Sequence, residues 1–213
     1  MLSPEDYAVD EVYSLFIEQV GGPAFRQAVP PSSIERYRGI LPDTLLKHWK
    51  EHGWCGYGDG IFWTVNPQEY EGVTASFIEG SPLENRDKYH LIARGAFGDL
   101  YLFGETTGFS VKILPHISRY RASEYELRAD DMDREVQNFF LSKEKASVDF
   151  DGMFKPAKKK LGELNHNEMY GFVPALAMGG PCDIAHLEKV KAVEHLLILS
   201  EICQLEPFSF SNL

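Results

Sequence analysis

The run His48-Trp49-Lys50-Glu51-His52 matches the H-x-x-E-H pattern of inverted zinc peptidases. Two imidazoles at i and i+4 share one helix face and can ligate zinc, and Glu51 beside them has the chemistry of a general base. The surroundings argue against that use. Gly53 follows at once, which places the pair on a helix terminus and not in a buried cleft. No downstream third ligand stands out on a helix, and imidazoles near a helix C-terminus are favoured by the dipole alone. Short motifs of this kind recur by chance. A metal-dependent hydrolase built on His48, Glu51 and His52 is therefore one alternative and not the expectation; a general cytoplasmic binding module is the other.

Other chemistry-bearing residues are sparse. Cys55 adds a third ligand type to the histidine pair, but a structural zinc site takes four ligands, and His90 or Cys182 would have to come from afar. A buried thiol acting as a small hydrophobe is the simpler reading. The glycines of Gly56-Tyr57-Gly58-Asp59-Gly60 are followed by no Gly-Lys-Ser/Thr and so make no phosphate loop. They also lack the alternating oxygen ligands and closing Glu of a calcium loop. Asn165-His166-Asn167 has no nucleophile beside it and reads as a helix-capping stretch. There is no G-x-S-x-G elbow and no cysteine in a nucleophile setting. The expectation is no catalytic residue, no metal ligand, no cofactor and no enzyme activity.

Composition points the same way. A net charge of −11 and a pI near 5.1 make nucleic acid a poor direct partner, because phosphate contacts need clustered Lys and Arg. An acidic chain is instead steered towards a basic partner. Ser3, Glu5 and Asp6 precede any apolar run, unlike a signal peptide, and no window is long and apolar enough for a membrane span. Three widely spaced cysteines suit reduced thiols. An acidic, cytoplasmic globular protein with no membrane contact is expected. The charge is densest between Ser123 and Asp151, where Glu124, Glu126, Asp130, Asp131, Asp133, Glu135, Glu144, Asp149 and Asp151 face four basic residues. A solvated helix face is the plain reading of such a run; an anionic surface for a cationic partner is the sharper one.

The elements that would carry these residues centre on Gly95 to Pro115. Leu100, Leu102 and Phe103, then Phe109, Val111 and Ile113, predict two strands joined by a turn at Glu105-Thr106-Thr107-Gly108. Such a hairpin needs cover on its flanks. Helices are predicted from Ser3-Pro4, with Val12, Tyr13, Phe16 and Val20 at helical spacing, from Ser32, and from Pro42-Asp43 to Gly53. Trp54 to Gly60 reads as a glycine-aromatic loop, Ile61 to Val65 as a short strand, Gln68 to Ile78 as a helix and Tyr89 to Ala93 as a strand. Ile117 is a candidate to extend the sheet. A helix with the stripe Met132, Val136, Phe139 and Phe140, capped by Asp130 or Asp131, and a basic helix from Phe154 to Leu164 follow. His186 to Cys203 reads equally as one helix or as a strand and a helix. The class is α+β, with N-terminal helices packed on a central antiparallel sheet and a smaller, mostly helical C-terminal sub-domain. The two parts are set at 1–120 and 121–213 and expected to pack closely.

Two stretches also carry a family likeness. RYRGILPDTLLKHWKEHGWCGYGDGIFWTVNPQEY and GAFGDLYLFGE, after the Gly21-Gly22-Pro23 turn, resemble the GAD-like domain family. Phe139-Phe140, FKPAKKKLGELNHNEMYGFVPALAMGG and KVKAVEHLLILSEI resemble the small domain often fused behind it, which occurs in immunity proteins of type VI secretion toxins. The resemblance implies a cytoplasmic immunity protein that binds its cognate toxin one-to-one, with a DNase as the toxin. Candidate toxin-binding residues are Asp130, Asp131, Asp133 and Glu135 in the acidic segment, and Trp54, Tyr57 and Asp59 in the glycine-aromatic stretch.

Overall fold

Leu100–Gly104 (β5) and Gly108–Leu114 (β6) form the antiparallel hairpin that their alternation requires, with Gly108 at a φ of 64° in the turn. The computed structural model describes residues 4–123 and 131–208. The hairpin turn is braced from outside: Asp87 Oδ2 accepts hydrogen bonds from Thr107 N and Thr107 Oγ1, each at 2.7 Å, and from Thr106 N at 3.0 Å. Burial alone would raise the Asp87 carboxyl, yet these bonds, Thr107's first, hold it below its ordinary value.

On one side of the hairpin lie Tyr89–Gly95 (β4), Phe62–Thr64 (β3), Trp54–Tyr57 (β2) and Pro23–Gln27 (β1); on the other lie Arg119–Ala122 (β7) and Glu206–Pro207 (β10). The strand order is β1-β2-β3-β4-β5-β6-β7-β10, antiparallel except for the parallel β7–β10 pair. Every residue of β2, β3, β4 and β5 is buried. Strands covered on both faces show no alternation. Trp54–Tyr57, expected as a loop for want of alternation, is instead a strand paired with β1 and β3. Ile117 does not extend the sheet: it ends a short 3-10 turn, Ser118 then takes a left-handed φ of 51°, and the extension begins at Arg119.

Helices Pro4–Val20 (α1), Pro31–Tyr37 (α2), Asp43–His52 (α3) and Glu71–Ile78 (α4) come from the first part of the chain. Met132–Leu141 (α5), Lys145–Val148 (α6), Phe154–Leu161 (α7) and Ala192–Ile202 (α8) come from the second, together with a separate hairpin of Glu168–Phe172 (β8) and Leu187–Lys191 (β9). The last element is therefore a strand followed by a helix. The molecule is α+β, as expected. Of the predicted stripe of α5, Val136, Phe139 and Phe140 are buried and Met132 is partly buried against the core. Phe139 stacks on Phe109 of β6 with ring centres 3.9 Å apart, and Phe140 meets Phe16 of α1 edge-on at 5.1 Å. Burying each such ring is worth roughly 1.5–3 kcal/mol. Asp131, at the helix start, makes no side-chain cap hydrogen bond, and the other expected cap, Asp130, lies outside the described residues, as do Ser3, Glu124 and Glu126.

One buried ion ties the two parts together. Arg94 on β4 is 0% exposed, and its Nη2 donates to the carbonyls of His166 and Glu168, both at 2.8 Å. Its Nε donates to Tyr70 Oη at 3.1 Å, and the guanidinium sits 5.1 Å from the Trp63 ring centre. Among the described residues it has no carboxylate partner. Beside it, Tyr170 N donates to Ala96 O at 2.9 Å, a backbone bond from β8 to the large sheet's β4–β5 connection. Replacing Arg94 by Met orphans two buried carbonyls, and urea denaturation should show a loss of about 3 kcal/mol or more.

Candidate functional site

The H-x-x-E-H run forms the C-terminal end of α3, and the structure uses it for packing. His48 is 4% exposed. Its ring stacks on Phe140 at 4.5 Å and meets Tyr13 of α1 edge-on at 5.4 Å, while Tyr13 stacks on His52 at 3.6 Å. Burial, aided by repulsion from His52, pulls the His48 pKa down to about 3. Its Nε2 is buried without a hydrogen-bond partner among the described residues. Glu51 Oε2 approaches His52 Nε2 only to 4.0 Å. The other ligand types point elsewhere: Cys55 donates its thiol proton to His52 O at 3.1 Å, His90 pairs with Glu105 at 2.8 Å, and Cys182 is exposed. Among the described residues no three His, Cys, Asp or Glu side chains are grouped to hold a metal ion.

The acidic candidates divide by what they touch. Asp133 Oδ1 accepts a hydrogen bond from Thr44 N at 2.9 Å, across 89 positions of sequence. α3 is preceded by Pro42, which offers no capping side chain, so Asp133 supplies from α5 the acceptor that the first turn lacks. Asp131 pairs with Arg134 on its own helix. Among the described residues Glu135 accepts a single long bond, from Asn138 at 3.5 Å. Asp130 lies outside the described residues.

The glycine-aromatic candidates divide as well. Trp54 and Tyr57 are 4% and 0% exposed and belong to the core. Burial, with the neighbouring Cys55 and Tyr13, pushes the Tyr57 hydroxyl far above its ordinary value. Asp59 is open, with a side chain 68% exposed and a left-handed φ of 65°, and Lys158 of α7 lies 3.4 Å away. Of the three, only Asp59 meets solvent. A cation without any motif completes the picture: Lys143, just past α5, borders a cavity of about 390 Å³ shared with Glu135. No sequence pattern distinguishes it from a surface lysine.

Residues 11–117 match the GAD-like domain. The chain belongs to the GAD-like domain family. Residues 133–203 match the family described as T6SS immunity protein Tdi1, C-terminal. The fold resembles the crystal structure of Atu4351 from Agrobacterium tumefaciens, with a TM-score of 0.78 over 89% of this chain and 88% of that one, at 20% sequence identity. Among curated proteins no match is found. No helix among the described residues is long and apolar enough to cross a membrane.

Two outcomes follow from this geometry. Asp133→Ala should cost about 1 kcal/mol in denaturant titrations, whereas Asp131→Ala, which removes an exposed pair, should cost well under that. The His48 pKa is lower in the folded than in the unfolded chain, so the unfolded chain binds more protons between about pH 6.5 and pH 3. Its contribution is complete above that window, and on acidification through it stability should fall by up to about 1.4 kcal/mol per pH unit. His48→Leu should flatten that slope, as read by urea midpoints across the range.

Proposed function

We propose that the chain is an immunity protein that binds and neutralises a cognate type VI secretion nuclease, a DNase, in the cytoplasm of the producing cell. The observation that carries this reading is the match of residues 133–203 to the C-terminal domain of the T6SS immunity protein Tdi1, behind a GAD-like domain. The electrostatics support it. A DNase presents a cationic cleft to its phosphate substrate, and a chain of net charge −11 is steered towards such a surface. Inhibition by one-to-one binding requires no catalytic group of the inhibitor.

In this reading residues 1–120 and 121–213 act as one unit. The first acids to meet the toxin are Asp59, which is open to solvent, and the part-exposed Asp131 and Glu135. Asp133 is kept for α3, and Trp54 and Tyr57 act by holding the sheet that displays Asp59.

The test is co-expression and co-purification with the product of the adjacent gene, followed by a DNA-degradation assay with and without this protein. A stoichiometric complex that abolishes cleavage is expected. Asp131→Lys with Glu135→Lys should slow association at low salt by about tenfold and matter less at high salt, as read by stopped-flow or biosensor rates. Failure of the wild-type chain to bind or protect would refute the proposal.

A further inference from the structure

The corner where the two parts meet at Phe97-Gly98-Asp99 gathers exposed apolar side chains around a polar cavity. Three of the six large apolar residues left exposed among the described residues lie here: Ile117, Val173 and Met178, at 39%, 40% and 68%. Ile117 and Met178 end two short 3-10 turns, Pro115–Ile117 and Leu176–Met178, which pack against each other. Val173 follows Phe172 of β8, whose ring centre is 5.4 Å from that of Phe150. The 173–186 connection that carries Met178 is braced from α7, where Lys160 Nζ donates to the carbonyls of Ile184 and Ala185, both at 2.7 Å. Met178 is thus displayed by a fixed loop.

The cavity beside them holds about 260 Å³ and is walled by Phe97, Asp99 and His116 from the first part and by Ser147, Phe150 and Asp151 from the second. Phe150 and Asp151 take left-handed φ values of 50° and 54°, a costly conformation for residues with a Cβ, and one that persists where its surroundings fix it. The turn sets the Phe150 ring 5.1 Å from Phe97 and 4.9 Å from His116. The polar side chains of the wall all offer acceptors. Asp151 is exposed at the rim, and Ser147 donates its own proton to Glu144 O at 2.7 Å. Asp99 Oδ1 faces His116 Nδ1 at 3.8 Å, and neither atom has a hydrogen-bond partner among the described residues. The carboxylate keeps the ring proton on Nδ1, which leaves Nε2 as an acceptor. Burial holds the imidazole below its ordinary pKa against the pull of Asp99, so it adds no positive charge at pH 7. Lys112 pairs with Asp99 Oδ2 at 2.6 Å but does not line the cavity. Acceptors beside an aromatic wall suit a donor-only head group on an apolar stem.

We propose that this corner anchors the protein partner: an Arg or Lys side chain of the toxin enters the cavity, its stem on Phe97 and Phe150 and its head on Asp151 and His116, while Ile117, Val173 and Met178 seat apolar residues around it. The proposal rests on the immunity reading and deepens it. The charge of the whole chain and the acceptors of this cavity select the same cationic occupant. Exposed acids elsewhere set the rate of encounter, whereas a cation desolvated in a pocket inside an apolar ring sets the lifetime of the complex.

The test uses the full chain and the product of the adjacent gene, with association and dissociation rates from a biosensor and Tm from thermal unfolding. Asp151→Asn keeps the shape of the side chain, removes its charge and tolerates the left-handed φ. It should raise the dissociation rate by about 30-fold or more, at low and high salt alike, with the association rate within about threefold and the Tm of the free protein unchanged. Met178→Lys, at an exposed position that does not threaten folding, should weaken Kd by about tenfold or more. If the wild-type chain binds and either variant stays within about threefold of it in Kd, the anchor is overturned and the immunity reading stands. A loss from Asp151→Asn that lies in the association rate and vanishes at high salt assigns Asp151 to steering and overturns the anchor equally. If wild type does not bind the toxin at all, the immunity reading fails and takes the anchor with it.

Discussion

The buried guanidinium of Arg94 is the constraint on which the rest of the molecule turns. Moving an ion of this size out of water costs several kcal/mol even after relaxation. No carboxylate among the described residues offsets that cost. Instead the charge is spread over the carbonyls of His166 and Glu168, the hydroxyl of Tyr70 and the face of Trp63. Tyr70 and Trp63 belong to the first part of the chain and the two carbonyls to the second. Arg94 is therefore satisfied only when β8 is docked against the end of β4, and the Tyr170–Ala96 backbone bond forms in the same place. A folded first part with an undocked second part would leave the guanidinium without two of its acceptors.

The coupling recurs elsewhere in the fold. β10, at the far end of the chain, pairs with β7 as the last strand of the large sheet. α5 lays Phe139 and Phe140 against rings of β6 and α1, lends Asp133 to the first turn of α3, and leaves Lys143 at the rim of an aromatic cavity. One ten-residue helix thus contributes to core, cap and cavity. An inhibitor that works by presenting a preformed surface benefits from such rigidity, because less ordering entropy is lost on binding.

Local pattern made much of this legible. The hairpin at Gly95 to Pro115, the helix stops at Gly21 and Gly53, and the buried stripe of α5 are short-range features, and each lies where its spacing predicts. The sheet is larger than its local pattern shows. β2 carries no alternation because both its faces are covered, β1 starts with a proline, and β10 is two residues long. Each gains its place from a neighbouring strand and not from propensity. The candidate sites were less legible than the elements, because Trp54, Tyr57 and Asp133 have the right residue types for recognition but spend them inside the molecule.

Sequence alone determined the α+β class, the net acidity and the family likeness of both parts. Periodicity, net charge and short motifs are local or additive, so they survive without coordinates. Only the tertiary structure decided which charged and polar groups are already engaged. His48 is a packed neutral ring, Asp133 caps a helix 89 positions away, and Arg94 joins the two parts. These assignments depend on burial and on partners distant in the chain, and neither leaves a mark in the order of the residues.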